Sequence, residues 1–101
     1  MTFFDDEVIS VAQADAYKTL TRSKIDNDPG SAKARRAVIS CHTAAVAYRY
    51  DGTTPDTSTK EYHQLAAGGS VTIDGYDNLV NLRVKLETGS TTAKLFVSYA
   101  Y

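Results

Sequence analysis

Cys41 and His42 are the only neighbouring cysteine and histidine in the chain, and a thiolate activated by an imidazole is the nucleophile that such a pair could form. The surrounding stretch "ARRAVISCH" alternates like a strand, with Ala37, Ile39 and Cys41 in one phase. Because neighbouring side chains of a strand point to opposite faces, the two groups cannot meet as a dyad. The spacing therefore predicts a buried, inert thiol.

Metal ligands are sparse as well. His63 could join His42 and a carboxylate at a zinc site, but the chain has two histidines and one cysteine, and no two of them are spaced i, i+2 or i, i+4. Asp51, Thr53 and Asp56 could offer oxygens to calcium, yet their spacing departs from the calcium-loop pattern and lacks its closing glutamate. We predict no metal or cofactor site, and an exposed or hydrogen-bonded His63.

The tract "DGTTPDTS" has a simpler interpretation as a connection between strands. Asp51-Gly52 suits a tight turn, and Pro55 has no backbone donor for a sheet interior. Short hydroxyl side chains can bond local backbone groups without a packed core. The tract could also present a contact surface, for which the candidate residues are Tyr50, Thr53, Thr54 and Asp56.

Basic residues are concentrated in "KARRA", which contains Lys33, Arg35 and Arg36. One interpretation is a patch that pairs with an acidic surface of a partner, and Arg35 and Arg36 are its candidate contacts. The other is solubilising charge at the edge of a strand.

Phe3 and Phe4 are apolar residues close to a terminus, and three acidic residues follow them. Terminal residues are poorly ordered unless the fold ties them down. We therefore expect residues 1–7 either to pack back on the domain or to act as an N-terminal arm that binds a neighbouring subunit through Phe3 and Phe4.

Composition excludes several functional classes. With 11 basic and 12 acidic residues the net charge is −1, so the broad positive field that nucleic-acid binding requires is missing. No apolar run approaches the ~20 residues of a membrane-spanning helix, and "MTFFDDEV" lacks the features of a signal peptide. Phosphate-binding glycine loops and nucleophile elbows are absent from the sequence. We expect a soluble, non-enzymatic protein made in a cytoplasm, with no cofactor.

Period-two alternation is the clearest structural signal. It predicts strands in "LVNLRVKLE" and "AKLFVSYAY", whose inward residues are Val80, Leu82, Val84, Leu86, Leu95, Val97, Tyr99 and Tyr101. The turn "TGST" between them predicts a C-terminal hairpin.

Three further segments complete the pattern. "AVAYRY" places Val46, Tyr48 and Tyr50 on one face, and "GSVTIDG" contains a short strand over 71–73. Residues 8–22 fit two short strands or a helix, and the β-branched content favours strands. Turn signals recur between strands of five to nine residues, so the whole chain, residues 1–101, is expected to be one all-β domain, an antiparallel β-sandwich or barrel.

From residue 30 to the end, the order of these motifs resembles a group of small virion proteins of tailed bacteriophages. The densest similarity is "YRYDGTTPDTS", residues 48–58, and the closing "AKLFVSY" supports it. Where that group often has Pro-Thr this chain has Pro55-Asp56, and where the group often has Gly-His it has Glu61-Tyr62-His63. A similar "DGTTPxTS" tract occurs in chitobiase-type C-terminal β-domains of secreted carbohydrate enzymes.

The resemblance implies a jelly-roll-like β-sandwich that decorates and stabilises a capsid as a cement protein in the virion. Its partners would be the major capsid protein or other virion proteins, bound as a homo-oligomer or by contacts that the lattice repeats. A neck, tail or fibre-base component is the first alternative. The second is a carbohydrate-binding β-module, whose ring platform would draw on Tyr48, Tyr50, Tyr62 and Tyr76.

Overall fold

The computed structural model describes residues 3–13, 15–26, 32–58, 60–87 and 91–101, with only the main chain of Phe3 and Phe4. Within these residues the strands are β1 (Phe3–Val11), β2 (Arg36–His42), β3 (Val46–Arg49), β4 (His63–Leu65), β5 (Ser70–Asp74), β6 (Arg83–Leu86) and β7 (Ala93–Ala100). Two short helices are α1 (Arg22–Asp26) and α2 (Tyr76–Asn81).

The strands form two antiparallel sheets that pack face to face. The first sheet has the order β1-β7-β2-β5 and the second has the order β4-β3-β6. Lys18 adds an isolated antiparallel bridge to Val84 at the free edge of β6, which marks a rudimentary fourth strand there. The prediction of an all-β sandwich is confirmed.

The connectivity is that of a jelly roll. β1 pairs with β7, the segment at Lys18 with β6, β2 with β5, and β3 with β4. The chain is thus one long antiparallel hairpin, rolled so that alternate pairs of its strands lie in opposite sheets, as in eight-stranded jelly rolls.

The core lies between the two sheets and follows the predicted phases. In β2 the residues Ala37, Ile39 and Cys41 are buried while their neighbours are half-buried or exposed. The same alternation buries Val84 and Leu86 in β6. The other strands contribute inward residues that include Val11, Val46, Leu65, Ile73, Leu95, Val97 and Tyr99.

The predicted C-terminal hairpin is wrong. β6 pairs with β3 in the second sheet, whereas β7 lies between β1 and β2 in the first. The connection between β6 and β7 therefore crosses from one sheet to the other, and residues 88–90 of that turn lie outside the described residues. Alternation reports which face of a strand is buried, but it does not identify the neighbouring strand.

The strand predicted to begin at Val80 is also shorter than expected. Residues 76–81 form α2, which follows Gly75 with a φ of 99°, a left-handed value that glycine adopts without steric cost. Val80 is half-buried on that helix and packs against the core. Its apolar character satisfies a helical and a strand pattern equally well.

Residues 8–22, as far as the structure describes them, form neither of the two alternatives, a helix or two short strands. They hold the second half of β1, the bridge at Lys18 and the first residue of α1. Of residues 1–7, the proposed N-terminal arm, residues 3–7 belong to β1, which pairs with β7, and residues 1–2 lie outside the described residues. The side chains of Phe3 and Phe4 lie outside the described residues.

The connections divide the molecule into two ends. One end, here called the connection end, carries the segment with α1 that leads into β2, the β3–β4 connection, and the β5–β6 connection with α2. The opposite end carries shorter links, such as the turn at Gly68-Gly69, whose main chain exchanges hydrogen bonds with Cys41.

Candidate functional site

The residues predicted to contact a partner collect at the connection end. Strand register aligns Phe3 with Ala100, Ala100 with Arg36, and Arg36 with Asp74 in one row across the first sheet. The tract with Tyr50, Thr53, Thr54 and Asp56 follows β3 at the same end. Residues far apart in sequence therefore share one surface region, which no local pattern could have revealed.

Asp51 organises the first half of this tract. Its carboxylate accepts hydrogen bonds from the backbone N–H of Thr53 at 3.1 Å and from the Thr53 hydroxyl at 2.5 Å. The Arg49 guanidinium donates to its other oxygen at 2.5 Å. The Thr53 hydroxyl and Arg49 hold the pKa of Asp51 well below its ordinary range. The carboxylate is thus occupied by the donors of its own loop.

The second half of the tract repeats this arrangement. Asp56 accepts the backbone N–H of Ser58 at 3.0 Å and its hydroxyl at 2.7 Å. Thr54 accepts a hydrogen bond from Arg83 at 3.0 Å, and Pro55 is buried. These contacts brace the tract against β6. They leave the exposed side chains of Thr53 and Asp56 on a fixed main chain.

Three rings meet beside this tract. His63 of β4 lies opposite Tyr48 of β3 in the strand register, with ring centroids 5.3 Å apart. Tyr50 stacks on His63 at 5.4 Å with an interplanar angle of 6°, and lies 6.5 Å from Tyr48. Tyr48 also packs on the core, and burial followed by the nearby Tyr50 raises the pKa of its phenol. His63 is exposed, as one of the two predicted alternatives had it.

Two adjoining open clefts surround these rings. One, of about 330 Å³, runs past Arg49, Asp51, Glu61 and Tyr62. The other, of about 290 Å³, reaches between the sheets to Asp74 and Asn78. Within the described residues, the hydroxyls of Tyr48, Tyr50 and Tyr62 and the Glu61 carboxylate have no hydrogen bond to another protein group. The clefts therefore combine ring faces with free donors and acceptors.

A basic cluster lies at the same end, between α1 and α2. The Tyr76 hydroxyl donates to Asp26 at 2.5 Å and accepts from Arg22 at 3.0 Å. Lys33 lies 3.7 Å from Asp26 and 5.4 Å from the Tyr76 ring. Hydrogen bonding from Tyr76, helped by the cations Arg22 and Lys33, lowers the pKa of Asp26.

The side chains of Arg35 and Arg36 differ in their ion pairs. Arg36 forms an ion pair with Asp74 on the neighbouring strand β5, so its charge is partly neutralised. The main chain of Arg35 is fixed because its N–H donates to Ala100 and its carbonyl accepts from Gly75. The Arg35 side chain is exposed and has no ion pair within the described part of the chain. Of the two predicted contacts, Arg35 is the one with its charge available.

Sequence reasoning missed a polar network that joins β1 to α1. Glu7 accepts hydrogen bonds from the Thr21 hydroxyl at 2.5 Å and from the buried Tyr99 hydroxyl. Lys24 pairs with Asp5 at 2.7 Å. Burial and the hydrogen bond to Glu7 raise the pKa of Tyr99 far above its ordinary value. Asp5 and Glu7 of the acidic run after Phe4 are therefore structural residues.

The predicted burial of the Cys41 side chain is confirmed. Cys41 is fully buried and donates its S–H to the Ala44 carbonyl at 3.0 Å, whereas His42 is exposed. Burial raises the pKa of the Cys41 thiol, which disfavours the reactive thiolate.

Comparisons of the chain with protein-family models, with curated proteins and with solved structures return no match. In the described residues, no three histidine, cysteine, aspartate or glutamate side chains are grouped so that they could hold a metal ion. Among the same residues, no helix is both long and apolar enough to cross a membrane.

Proposed function

We propose that this chain is a structural protein of a tailed-phage virion that decorates the capsid and holds major capsid subunits together. The observation that carries the proposal is the construction of the tract over residues 48–58, which also carries the resemblance. Its two aspartates accept hydrogen bonds from their own loop. Its own hydrogen bonds thus hold the tract in one conformation. A surface that is ordered before binding loses less conformational entropy on binding than a flexible one.

The distribution of candidate contacts supports the same role. Tyr50, Thr53 and Asp56 are exposed at the connection end, and Arg35 is exposed at the start of the strand that leads away from it. Such a surface offers a ring, hydroxyls, a carboxylate and a cation within one region. A cement protein needs only modest affinity for each subunit, because the symmetry of the lattice repeats every contact.

A neck, tail or fibre-base component would use the same fold and surface, and copy number separates it from a capsid protein. Quantitative mass spectrometry of purified virions from the source would give the number of copies per particle. On the order of hundreds of copies indicates a lattice decoration protein, whereas a ring of about six to twenty indicates the neck or tail. Absence from the particle would refute both versions.

Binding to particles stripped of the protein tests the surface itself. We expect Tyr50→Ala and Arg35→Glu to lower occupancy while leaving the melting temperature unchanged, since both side chains are exposed. Tyr17→Ala is the matched control, because Tyr17 and Tyr50 are each 39% exposed but Tyr17 contacts Arg83 instead of the clefts. If Tyr50→Ala and Arg35→Glu both reached the same occupancy as Tyr17→Ala and the original chain, the connection end would be excluded as the contact surface.

The clefts around Tyr48, Tyr50 and His63 favour a second candidate function, carbohydrate binding. Sugars bind ring faces through their C–H groups and need donors and acceptors at the rim, and both are present here. Tyr62 lines the same cleft, whereas Tyr76 is engaged by Arg22 and Asp26 and does not join the ring cluster. The platform is thus smaller than the four tyrosines considered from the sequence.

A glycan array followed by calorimetry tests this candidate. Binding with a dissociation constant of about 1 mM or lower, lost in Tyr50→Ala and retained in Tyr17→Ala, would support it. Tyr50→Ala is preferable to Tyr48→Ala because Tyr48 also packs on the core. An array with no hits would remove this candidate.

A further inference from the structure

The outer face of the first sheet carries an unusual apolar pair. Val8 of β1 and Phe96 of β7 are direct cross-strand partners and are 61% and 43% exposed. Both point away from the core, because Ile9 and Leu95, the next residues in register, face it. Two large apolar side chains thus lie side by side in solvent on the outer face of the sheet, across its edge strand β1 and the neighbouring β7.

Charges of opposite sign lie on either side of this pair. Along the sheet, Asp6 pairs with Ser98 in the rung before it and Ser10 pairs with Lys94 in the rung after it. Asp6 and Lys94 are exposed, and within the described residues neither side chain forms an ion pair or a hydrogen bond. Four residues of strand separate them, roughly 14 Å, which is too far for a contact within one chain.

We propose that the chain forms a two-fold symmetric dimer by packing this outer patch, Asp6, Val8, Ser10, Lys94, Phe96 and Ser98, against the same patch of a second copy. A two-fold axis that lies in the interface plane between the two copies, passes midway between Val8 and Phe96 and runs perpendicular to the Asp6–Lys94 diagonal exchanges the positions of Asp6 and Lys94. Each Asp6 then faces a Lys94 across the interface, and the two apolar pairs stack on each other.

The patch is complementary to itself, and this property indicates that its partner is a second copy of the chain. An isologous interface requires that each group meet its complement when the patch is turned onto itself. The charged corners meet this requirement, and the remaining corners, Ser10 and Ser98, are small enough to leave space for the opposing side chains. An unrelated partner would give no reason for the charges to be placed symmetrically about the apolar pair.

Sedimentation equilibrium of the full chain from about 1 μM to about 1 mM tests the dimer. We expect a mass that rises to twice the 11.0 kDa of one chain. Phe96→Ser removes the larger apolar contact and should abolish association. Asp6→Lys and Lys94→Asp each replace two attractions by two repulsions and should each raise the dissociation constant by about tenfold.

The double variant Asp6→Lys/Lys94→Asp restores opposite charges at both corners, and we expect it to recover the association of the original chain. Asp77→Lys, a charge reversal at an exposed position of α2, is the matched control and should leave association unchanged. All these positions are exposed, so circular dichroism should show folded variants.

A chain that stays monomeric throughout the concentration range would overturn the proposal. So would a trimer, or a dimer that neither charge reversal weakens. The dimer does not depend on the proposed virion role: association in solution is measured without particles, and particle occupancy is measured with variants of the connection end. Failure of one therefore leaves the other open.

Discussion

At the scale of single residues, carboxylates at the connection end act as acceptors that fix loops in place. Asp51 holds its own turn, Asp26 receives Tyr76 and Arg22, and Glu7 receives Tyr99 and Thr21. Each of these groups accepts more than one hydrogen bond. A carboxylate used in this way is a structural group, and this is the role of Asp51, Asp26 and Glu7 in the described residues.

The hydrogen bonds of the Asp51 carboxylate should make the stability of the domain depend on pH in the acid range. Folding lowers its pKa below the ordinary value of 3.8, so its contribution to the free energy of unfolding is complete above that pH and is lost as the pH falls below it. We expect Asp51→Asn to lower the melting temperature at about pH 6 and to have a smaller effect at about pH 2. Asp77→Asn should change neither value, and an Asp51→Asn effect that is the same at both pH values would contradict the prediction.

The Tyr99 hydroxyl should stabilise the domain through the network that joins β1 to α1. Its buried hydroxyl donates to Glu7, and hydrogen bonds to charged groups are stronger than neutral ones. Tyr99→Phe should therefore lower the free energy of unfolding in urea by about 2 kcal/mol. Tyr62→Phe is the control, since the Tyr62 hydroxyl has no hydrogen bond within the described residues. Equal midpoints for the two variants would show that the Tyr99 hydroxyl contributes nothing.

At the scale of elements, sequence alternation identified most strands but not their neighbours. β2, β5 and β7 appear where the pattern predicts them, because each has one face on the core. The helix α2 was missed since Tyr76, Leu79 and Val80 fit a helical stripe only after Gly75 has ended the preceding strand. The sequence likewise did not predict the ring cluster, because the contact between His63 and Tyr48 depends on the register of β4 against β3.

The phase of β6 can be tested directly. Val84 is 3% exposed and lies between β3 and the bridge at Lys18. Val84→Asp would bury an unpaired charge and should destabilise the domain by at least about 3 kcal/mol, enough to prevent folding of a marginally stable protein. Lys85→Asp places the same side chain on the opposite face of the same strand and should fold. A cooperatively melting Val84→Asp protein would mean that the strand faces the other way.

At the scale of the whole molecule, the jelly roll joins the beginning of the chain to its end. Among the described strands β1 lies at the edge of its sheet beside β7, and β7 in turn links it to β2. Pairings between such distant segments leave no local signal, which is why the sequence left residues 1–7 open between an arm and a packed segment. The resemblance implies a jelly-roll-like sandwich, and the observed strand pairings have that connectivity.

Deleting residues 1–7 distinguishes these two roles of the N-terminal segment. The deletion removes five of the nine residues of β1, together with the Asp5–Lys24 ion pair and every hydrogen bond to Glu7. We expect it to lower the free energy of unfolding by at least about 3 kcal/mol, measured by urea denaturation. Deleting residues 1–2 alone leaves β1 whole and should have no effect. If the longer deletion melted like the full chain yet bound particles less well, residues 1–7 would act as an arm, and the contacts of β1 with α1 would carry no stability.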